Sequence, residues 1–511
     1  MCGFLYAQSR HTLSTVIRDR LISALHAQSW RGPDNTSFEF VDQDRVFLGH
    51  NRLSIIDLSD FSDQPFTSEY IKLIYNGEIY NYHDLSNLLG ANTSFKSDTH
   101  FLAKSLSSEI VNDTFLSSLE GMFSFVSHNT TTGTFFGARD LFGIKPFYYY
   151  YDDEIFLASS ESATIAQIIS ASNDSLAIKE YQLFRRPCPG YTHWKNVYEL
   201  LPGHTISLGR EGLYVHRYDK KLDDIYIQQT QKLEDIIKES VSIHEAADCD
   251  VVSMLSGGVD SNIVALFSQK ANLFLSVGSE SHNEFDSAKV SASILDLPFV
   301  QLTLDQTKCE KIWHELFLIK REPLSVPNES LIYYLCSSLS RSQKVVLTGE
   351  GSDEIFFGYS NILNLLLTNQ ITSKLEFFQR YCYGTLASIT DLSDRFLQWD
   401  STNGEDFSYA YVRSFFLNFH LPCLLRRMDF ASMAAGKESR TPFLHRKILS
   451  FANNLGFSEL TRERSKEDLR RILDENCLGH ISRESKFAFS ANFSKLDRLN
   501  HYSHFRSFFP I

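Results

Sequence analysis

The sequence predicts two domains of different class: a β-rich first domain over residues 1–210 and an α/β second domain over residues 211–511, the latter built on a doubly wound parallel sheet. Three observations carry this expectation. The chain has 511 residues, more than one ordinary hydrophobic core organises. Short apolar runs broken by Gly, Asn, Asp and Pro dominate its first part. Beyond them, apolar runs alternate with helix-like segments, the pattern of successive βαβ units.

In chain order, the runs Arg45–Ile56, Tyr70–Asn81, Gly121–His128, Gly133–Asp140 and Pro146–Ser159 read as strands of the first domain. The dipeptide Asn76–Gly77 between apolar runs predicts a hairpin or tight turn. Leu201–Asp224 mixes Gly, charge and polar residues and reads as the linker. A helix is expected near Tyr226–His244. Strands are expected at Asp250–Leu255, Leu273–Ser279, Pro298–Leu304 and Lys344–Gly349, and the pattern is mostly helical from about Asn361 onward. No repeat or low-complexity tract interrupts it.

Composition narrows the function classes. A content of 43% hydrophobic and 22% charged residues is that of a globular enzyme. The net charge of −13 argues against non-specific binding to nucleic acid or an anionic membrane, since no basic excess exists to neutralise phosphates. No apolar stretch approaches the ~20 residues of a membrane span. The eight cysteines form no CxxC pair, so no zinc site is expected. Their scatter suits reduced thiols in the cytoplasm, and the N-terminus lacks the features of a signal peptide.

Three places can carry chemistry. Cys2 follows the initiator Met. Removal of Met1 would give its thiol a neighbouring α-amine, with a pKa of about 7.7–8.0, as its own base. Ser256-Gly257-Gly258-Val259-Asp260-Ser261 lies directly after a strand and opens a helix, the placement of a phosphate cradle. It lacks the Gly-Lys-Ser/Thr end of a Walker A loop. Thr348-Gly349-Glu350-Gly351-Ser352-Asp353-Glu354 is a second Gly-rich, acidic loop at a strand end, where ligands bind in parallel sheets. Asp353 there offers oxygen donors suited to a hard cation.

An ordered series of motifs follows Cys2: Arg31-Gly32-Pro33-Asp34, Arg52-Leu53-Ser54-Ile55, Asn76-Gly77-Glu78-Ile79-Tyr80-Asn81, Ser97-Asp98-Thr99, Gly121-Met122-Phe123-Ser124-Phe125, Ala138-Arg139-Asp140 and Gly143-Ile144-Lys145-Pro146. Together these resemble the glutaminase domain of class II glutamine amidotransferases, specifically of the glutamine-hydrolysing asparagine synthetases. The resemblance implies an N-terminal-nucleophile αββα sandwich with Cys2 as nucleophile. It implies a glutamine site of Arg52, Ile55, Asn76, Gly77, Glu78 and Asp98. Arg52 would pair with the glutamine carboxylate, Glu78 and Asp98 would hold its ammonium, and Asn76 with Gly77 would form an oxyanion hole.

The second domain resembles the ATP pyrophosphatases and, through Thr348–Glu354, Phe356–Tyr359 and Glu438-x-Arg440-x-Pro442-Phe443-Leu444, the synthetase half of the same family. This implies an ATP site of Leu255, Ser256, Gly257, Gly258, Asp260, Ser261, Val277, Thr348 and Gly349. Mg²⁺ would be held by Asp260 and Asp353, Glu350 would face the acyl-adenylate or ammonia, and Lys486 would neutralise the departing pyrophosphate, with Lys466 the weaker candidate. The implied partners are glutamine and aspartate or another small carboxylic acid, and a homodimer is compatible with the resemblance. Met122, Phe123 and Phe125 could line the start of a non-polar ammonia passage, although core packing is the commoner fate of such residues.

The sequence departs from the family's pattern in three places. His445 follows Pro-Phe-Leu where the family has Asp. Lys437 stands where it tends to be apolar. Arg321–Ser330 keeps Glu322-Pro323 without clearly reproducing the aspartate-binding residues. Alternatives are therefore amidation of another carboxylate, such as a sugar acid or natural-product precursor, a non-catalytic binding or regulatory relative, or a β-lactam-synthetase-like cyclase, a class that lacks the working glutaminase nucleophile.

Overall fold

The computed structural model describes residues 2–483, apart from 91–93, 210–211, 229, 281–282, 327, 384–390, 405 and 461–464. The chain forms two compact units: residues 1–174 with 189–221, and residues 175–188 with 222–511.

The first unit contains twelve described strands: β1 (Cys2–Ser9), β2 (Asn35–Val41), β3 (Val46–Arg52), β4 (Phe66–Ser68), β5 (Ile71–Ile79), β6 (Gly121–Asn129), β7 (Thr134–Arg139), β8 (Tyr148–Tyr151), β9 (Ile155–Ser159), β10 (Tyr198–Glu199), β11 (His204–Gly209) and β12 (Gly212–Arg217). They pair as two antiparallel sheets, in the orders β10-β8-β9-β1-β3-β2 and β12-β11-β7-β6-β5-β4. The period-two alternation of each strand sorts side chains into layers. Phe4, Tyr6, Val46, Leu48, Ile74 and Val126 fill the space between the sheets. Their neighbours Leu5, Ala7 and Phe47 pack instead on Leu21, Ala24 and Leu25 of the helix Thr15–Ala27. On the far side Leu73, Tyr75, Phe123 and Phe125 pack on Phe101 and Leu102 of the helix Asp98–Ser107. The result is a four-layer αββα sandwich, in which each fully buried Phe or Leu contributes roughly 1.5–3 kcal/mol.

Two local expectations are corrected here. Asn76–Gly77 is no turn: both residues lie inside β5, opposite Ser124 and Phe123 of β6. The glycine is required by close approach rather than chain reversal. Its φ is +154°, and a Cβ there would stand 2.1 Å from the Met122 carbonyl oxygen and 2.6 Å from the Phe123 Cα. Leu201–Asp224 carries the divide only at its C-terminal end. It contains the hairpin β11–β12, closed at Gly209 and Gly212 and paired to β7. The divide therefore falls at 221/222 instead of 210/211, because the hairpin's backbone bonds belong to the first unit's second sheet. Residues 175–188 group with the second unit, where the Tyr181 hydroxyl donates to the Leu324 carbonyl at 2.5 Å.

The second unit holds a wholly parallel sheet in the order β15-β14-β13-β16-β17. Its strands are β13 (Asp250–Met254), β14 (Ala271–Gly278), β15 (Phe299–Thr303), β16 (Gln343–Leu347) and β17 (Glu438–Arg440). Four agree with the expected strands within a few residues. The fifth is only three residues long and is polar. Its Glu438 and Arg440 are fully buried as an ion pair at 2.5 Å, and Arg440 Nη1 donates to the carbonyls of His244 and Ala246, at 2.8 and 2.7 Å. It thereby satisfies carbonyls at the end of the helix Leu233–His244. The strand order reverses direction between β13 and β16, which places a topological switch point there.

Candidate functional sites

In the first unit, strand parity brings the expected residues to one face. Cys2 opens β1 directly opposite Arg52 at the end of β3. It shares the inward parity of Phe4 and Tyr6, as Arg52 shares that of Val46 and Leu48. From the other sheet Asn76 and Glu78 share the inward parity of Ile74. All four are buried. The main-chain nitrogen of Cys2 donates to Asn76 Oδ1 at 3.0 Å. The other end of that amide, Nδ2, is buried and has no hydrogen-bond partner among the described residues, and such a group is costly unless a ligand completes it.

Arg31 anchors the nucleophile from behind. Its Nε donates to the Cys2 carbonyl at 3.1 Å and its Nη1 meets Glu161 at 2.6 Å. Burial pushes His50 down to about 3 and keeps it neutral, with Nε2 3.0 Å from the Tyr75 carbonyl oxygen.

Other expected glutamine-site residues have structural employment. Arg52 Nη1 donates to the Ser59 carbonyl and to Asp63, both at 2.7 Å, and Nη2 donates to the Asp57 carbonyl. The guanidinium thus braces the loop after β3, in which Ile55 is buried. Asp98 starts the helix Asp98–Ser107 and accepts from the Tyr75 hydroxyl at 2.7 Å and the Ile79 N–H at 3.1 Å. Asp140 receives the N–H groups of Phe123, Phe142, Ile144 and Lys145, so the Asp140–Pro146 motif is a pinned turn. Met122 shares the inward parity of Asn76 and Glu78. Phe123 and Phe125 face the helix layer as ordinary core.

In the second unit, the loops after β13 and β16 flank the switch point. The first begins at Leu255, whose N–H donates to Leu275 at 2.8 Å beside Val277 of β14. Ser256 and Ser261 hydroxyls meet at 2.9 Å across Gly257 and Gly258. Asn262 Nδ2 donates to the carbonyls of Ser256 and Gly258, both at 2.8 Å. With these carbonyls turned onto Asn262, the loop leads into the N-terminus of the helix Val259–Phe267, an electropositive helix end.

The second loop packs tightly on the first. A Cβ on Gly349 would meet the Asp260 Cβ at 2.7 Å and Ser261 N at 2.9 Å. Thr348 is tied to β17 by its N–H bond to the Arg440 carbonyl at 2.9 Å. Asp260 and Asp353 converge on one ammonium: Lys466 Nζ lies 2.5 Å from the first and 2.6 Å from the second. The Ser352 hydroxyl also donates to Asp260, at 2.7 Å. Glu350 pairs with Arg427 Nη2 at 2.9 Å. Glu354 accepts from the Tyr359 hydroxyl and is pushed up to about 8 by burial and by the charges of Asp353 and Glu350.

Residues 1–219 match the glutamine amidotransferase domain family, and residues 232–506 match the asparagine synthase family. The chain belongs to the asparagine synthase family. It is 30% identical over 383 residues to the glutamine-hydrolysing asparagine synthetase 1 of Bacillus subtilis (strain 168), which covers 70% of this chain and 59% of that relative. It is 27% identical over 513 residues to asparagine synthetase 3 of the same strain, covering 89% of this chain and 81% of the relative. It is also 28% identical over 400 residues to the amidase chry2 of Gibberella zeae, covering 70% and 59%.

Set against this family, two carboxylates meeting at the switch point fit Mg²⁺ bound jointly with phosphates, since that ion uses one or two carboxylates and keeps its remaining positions for water and substrate. Among the described residues no group of three or more His, Cys, Asp or Glu could hold a metal by itself. Lys486 lies outside the described residues. Lys466, ranked below it from the sequence, reaches both acids. Its backbone φ of 59° at the start of the helix Glu467–Glu475 was not legible beforehand. Arg427 and Tyr359, which the motif reading left without roles, partner two of the loop's three carboxylates. No helix among the described residues is long and apolar enough to cross a membrane.

Proposed function

We propose that this chain is a glutamine-dependent amidotransferase that activates a carboxylic acid with ATP, releases AMP and pyrophosphate, and forms the amide, with aspartate as the leading acceptor. In the first unit Cys2 Sγ attacks the glutamine amide carbon, ammonia leaves, and water releases glutamate from the thioester. Once Met1 is removed, the Cys2 nitrogen is an α-amine that can accept the thiol proton. Asn76 Oδ1 orients that nitrogen, and Asn76 Nδ2 is the donor available to the oxyanion. In the second unit an acceptor carboxylate oxygen attacks the ATP α-phosphate and pyrophosphate leaves. Ser256–Ser261 would cradle the phosphates, with Asp260 and Asp353 holding Mg²⁺, which supplies charge neutralisation for the leaving group. Among the described residues, Lys466 is a cation placed beside that charge.

The observation that carries this reading is the meeting of Asp260, Asp353 and Lys466 at the switch point of a parallel sheet, in a chain whose other unit sets Cys2 against an Asn76 amide with no partner for Nδ2 among the described residues. A second reading, amidation of a different carboxylate, is favoured by the stretch 321–330. There Glu322 is consumed by Arg426 and Glu329 by Lys320 at 3.1 Å, so these charges are spent on internal pairs. An ATP–pyrophosphate exchange screen across candidate acids, aspartate first, tests both. Exchange with aspartate and equal yields of AMP and pyrophosphate are expected. Exchange only with another acid selects the second reading, and ADP with phosphate as products rejects adenylation.

A further inference from the structure

The loop after β16 places three carboxylates within five residues, and each has a different partner. Asp353 has the Lys466 ammonium and Glu354 has the Tyr359 hydroxyl. Glu350 has Arg427, whose Nη2 lies 2.9 Å from its Oε2. This is no surface ion pair. The side chains are only 10% and 15% exposed, and losing one partner of such a pair strands the other's charge. Arg427 is held on the 14-residue helix Leu421–Ala434, rather than on a loop. Its Nε is buried and has no hydrogen-bond partner among the described residues. The single charged hydrogen bond from a helix-borne guanidinium restricts how the carboxylate can turn.

We propose that Arg427 is a positioning residue that holds the Glu350 carboxylate in one orientation, to take the proton shed by ammonia during amide formation. The inference rests on the amidotransferase reading above. In the step concerned, the ammonia nitrogen bonds to the acyl carbon, the bond from that carbon to the adenylate oxygen breaks, AMP leaves with its electron pair, and one N–H proton passes to Glu350. Activation itself is done at Asp260, Asp353 and the Ser256–Ser261 loop. Arg427 therefore serves the second half-reaction and leaves the first intact.

The test uses the full chain with ammonium chloride as nitrogen donor, which bypasses Cys2, and the acid giving strongest exchange, aspartate first. For Arg427→Met, ATP–pyrophosphate exchange should stay within about threefold of wild type. Amide formation should fall on the order of 10²-fold, the typical contribution of a positioned general base, with AMP released in excess of amide. Arg427→Lys should restore part of the loss. Added to Glu350→Gln, Arg427→Met should cause little further loss, because two residues acting as one unit are not additive. Exchange and amide formation falling together, additive losses, or unchanged amide yield would each overturn the assignment. If Arg427→Met fails to fold, the Arg427→Lys and Glu350→Gln pair carries the same comparison. Wild-type protein lacking exchange with every acid rejects the amidotransferase reading and this inference with it.

Discussion

The two units arrange their charges differently. Around Cys2 stand a thiol, an amide whose Nδ2 has no partner among the described residues and a histidine held uncharged by burial, with the buried side chains of Arg52 and Glu78 on the same face. Around β13 and β16 the site is a dense set of charges, with Asp260, Asp353 and Lys466 in mutual contact and Glu350 on Arg427. The contrast follows from the chemistry each could perform. Amide cleavage develops one oxyanion, which preorganised neutral donors stabilise without the desolvation cost of a buried charge. Adenylation handles a polyanion, so carboxylates must be balanced by cations and a metal.

The sharpest way to break this comparison is Cys2→Ala. Glutamine hydrolysis should fall by on the order of 10³-fold or more, as for loss of a nucleophile, while ammonia-dependent amidation persists. Loss of both activities in folded protein would show that the units do not divide the labour.

Next in size, Asp260→Asn or Asp353→Asn should reduce Mg²⁺-dependent ATP–pyrophosphate exchange by about 10²-fold or more, since the leaving pyrophosphate loses its counter-charge. Glutaminase rates should be untouched. Exchange insensitive to both changes would remove the metal assignment.

Asn76→Ala tests the Cys2 site. Its glutaminase kcat should drop about 10²–10³-fold, the usual cost of deleting one oxyanion donor, while a thiol-titrating reagent still finds Cys2. A change confined to KM would place Asn76 in ground-state binding instead.

Gly77→Ala should act mainly through packing. The added Cβ meets the β6 backbone, and overpacking costs typically 1–3 kcal/mol, readable as a lower urea midpoint. A midpoint equal to wild type would mean that β5 and β6 separate easily.

The smallest effect concerns pH. Glu354 is raised by burial to about 8, above its ordinary carboxyl value, so the folded state holds its proton more tightly than the unfolded chain. Its contribution to stability is fully present below about pH 4.5 and is lost as pH rises through 8. In Mg²⁺-free buffer the thermal midpoint of wild type should decline across that window more than that of Glu354→Gln. Parallel curves would reject a protonated Glu354.

Much of this was legible in the sequence because it depends on short-range pattern. The strands β13, β14, β15 and β16 declared themselves by apolar runs, and the two Gly-rich loops followed from their strand ends. The ordered motifs single out Cys2, Asn76 and Glu78, and period-two alternation places them on one face. What failed was local inference where tertiary contacts ruled. Asn76–Gly77 carries turn chemistry but sits in mid-strand, because β6 presses where a side chain would be. The hairpin β11–β12 looked like a linker, because an edge pair needs few apolar residues once a sheet supplies its hydrogen bonds. Arg52 also braces the loop after β3, and Asp98 also ties its helix to Tyr75 and Ile79 of β5, contacts that no motif announced.

The sequence by itself determined the class of each unit and the residues able to do chemistry, since side-chain type and strand periodicity are local properties. The tertiary structure alone decided which charges meet. Lys466 lies more than a hundred residues from Asp353 and Arg427 lies far beyond Glu350, and no spacing rule links them. Their pairing comes from helices packing over the carboxyl edge of one parallel sheet, where buried carboxylates must find a cation, a hydroxyl or a proton.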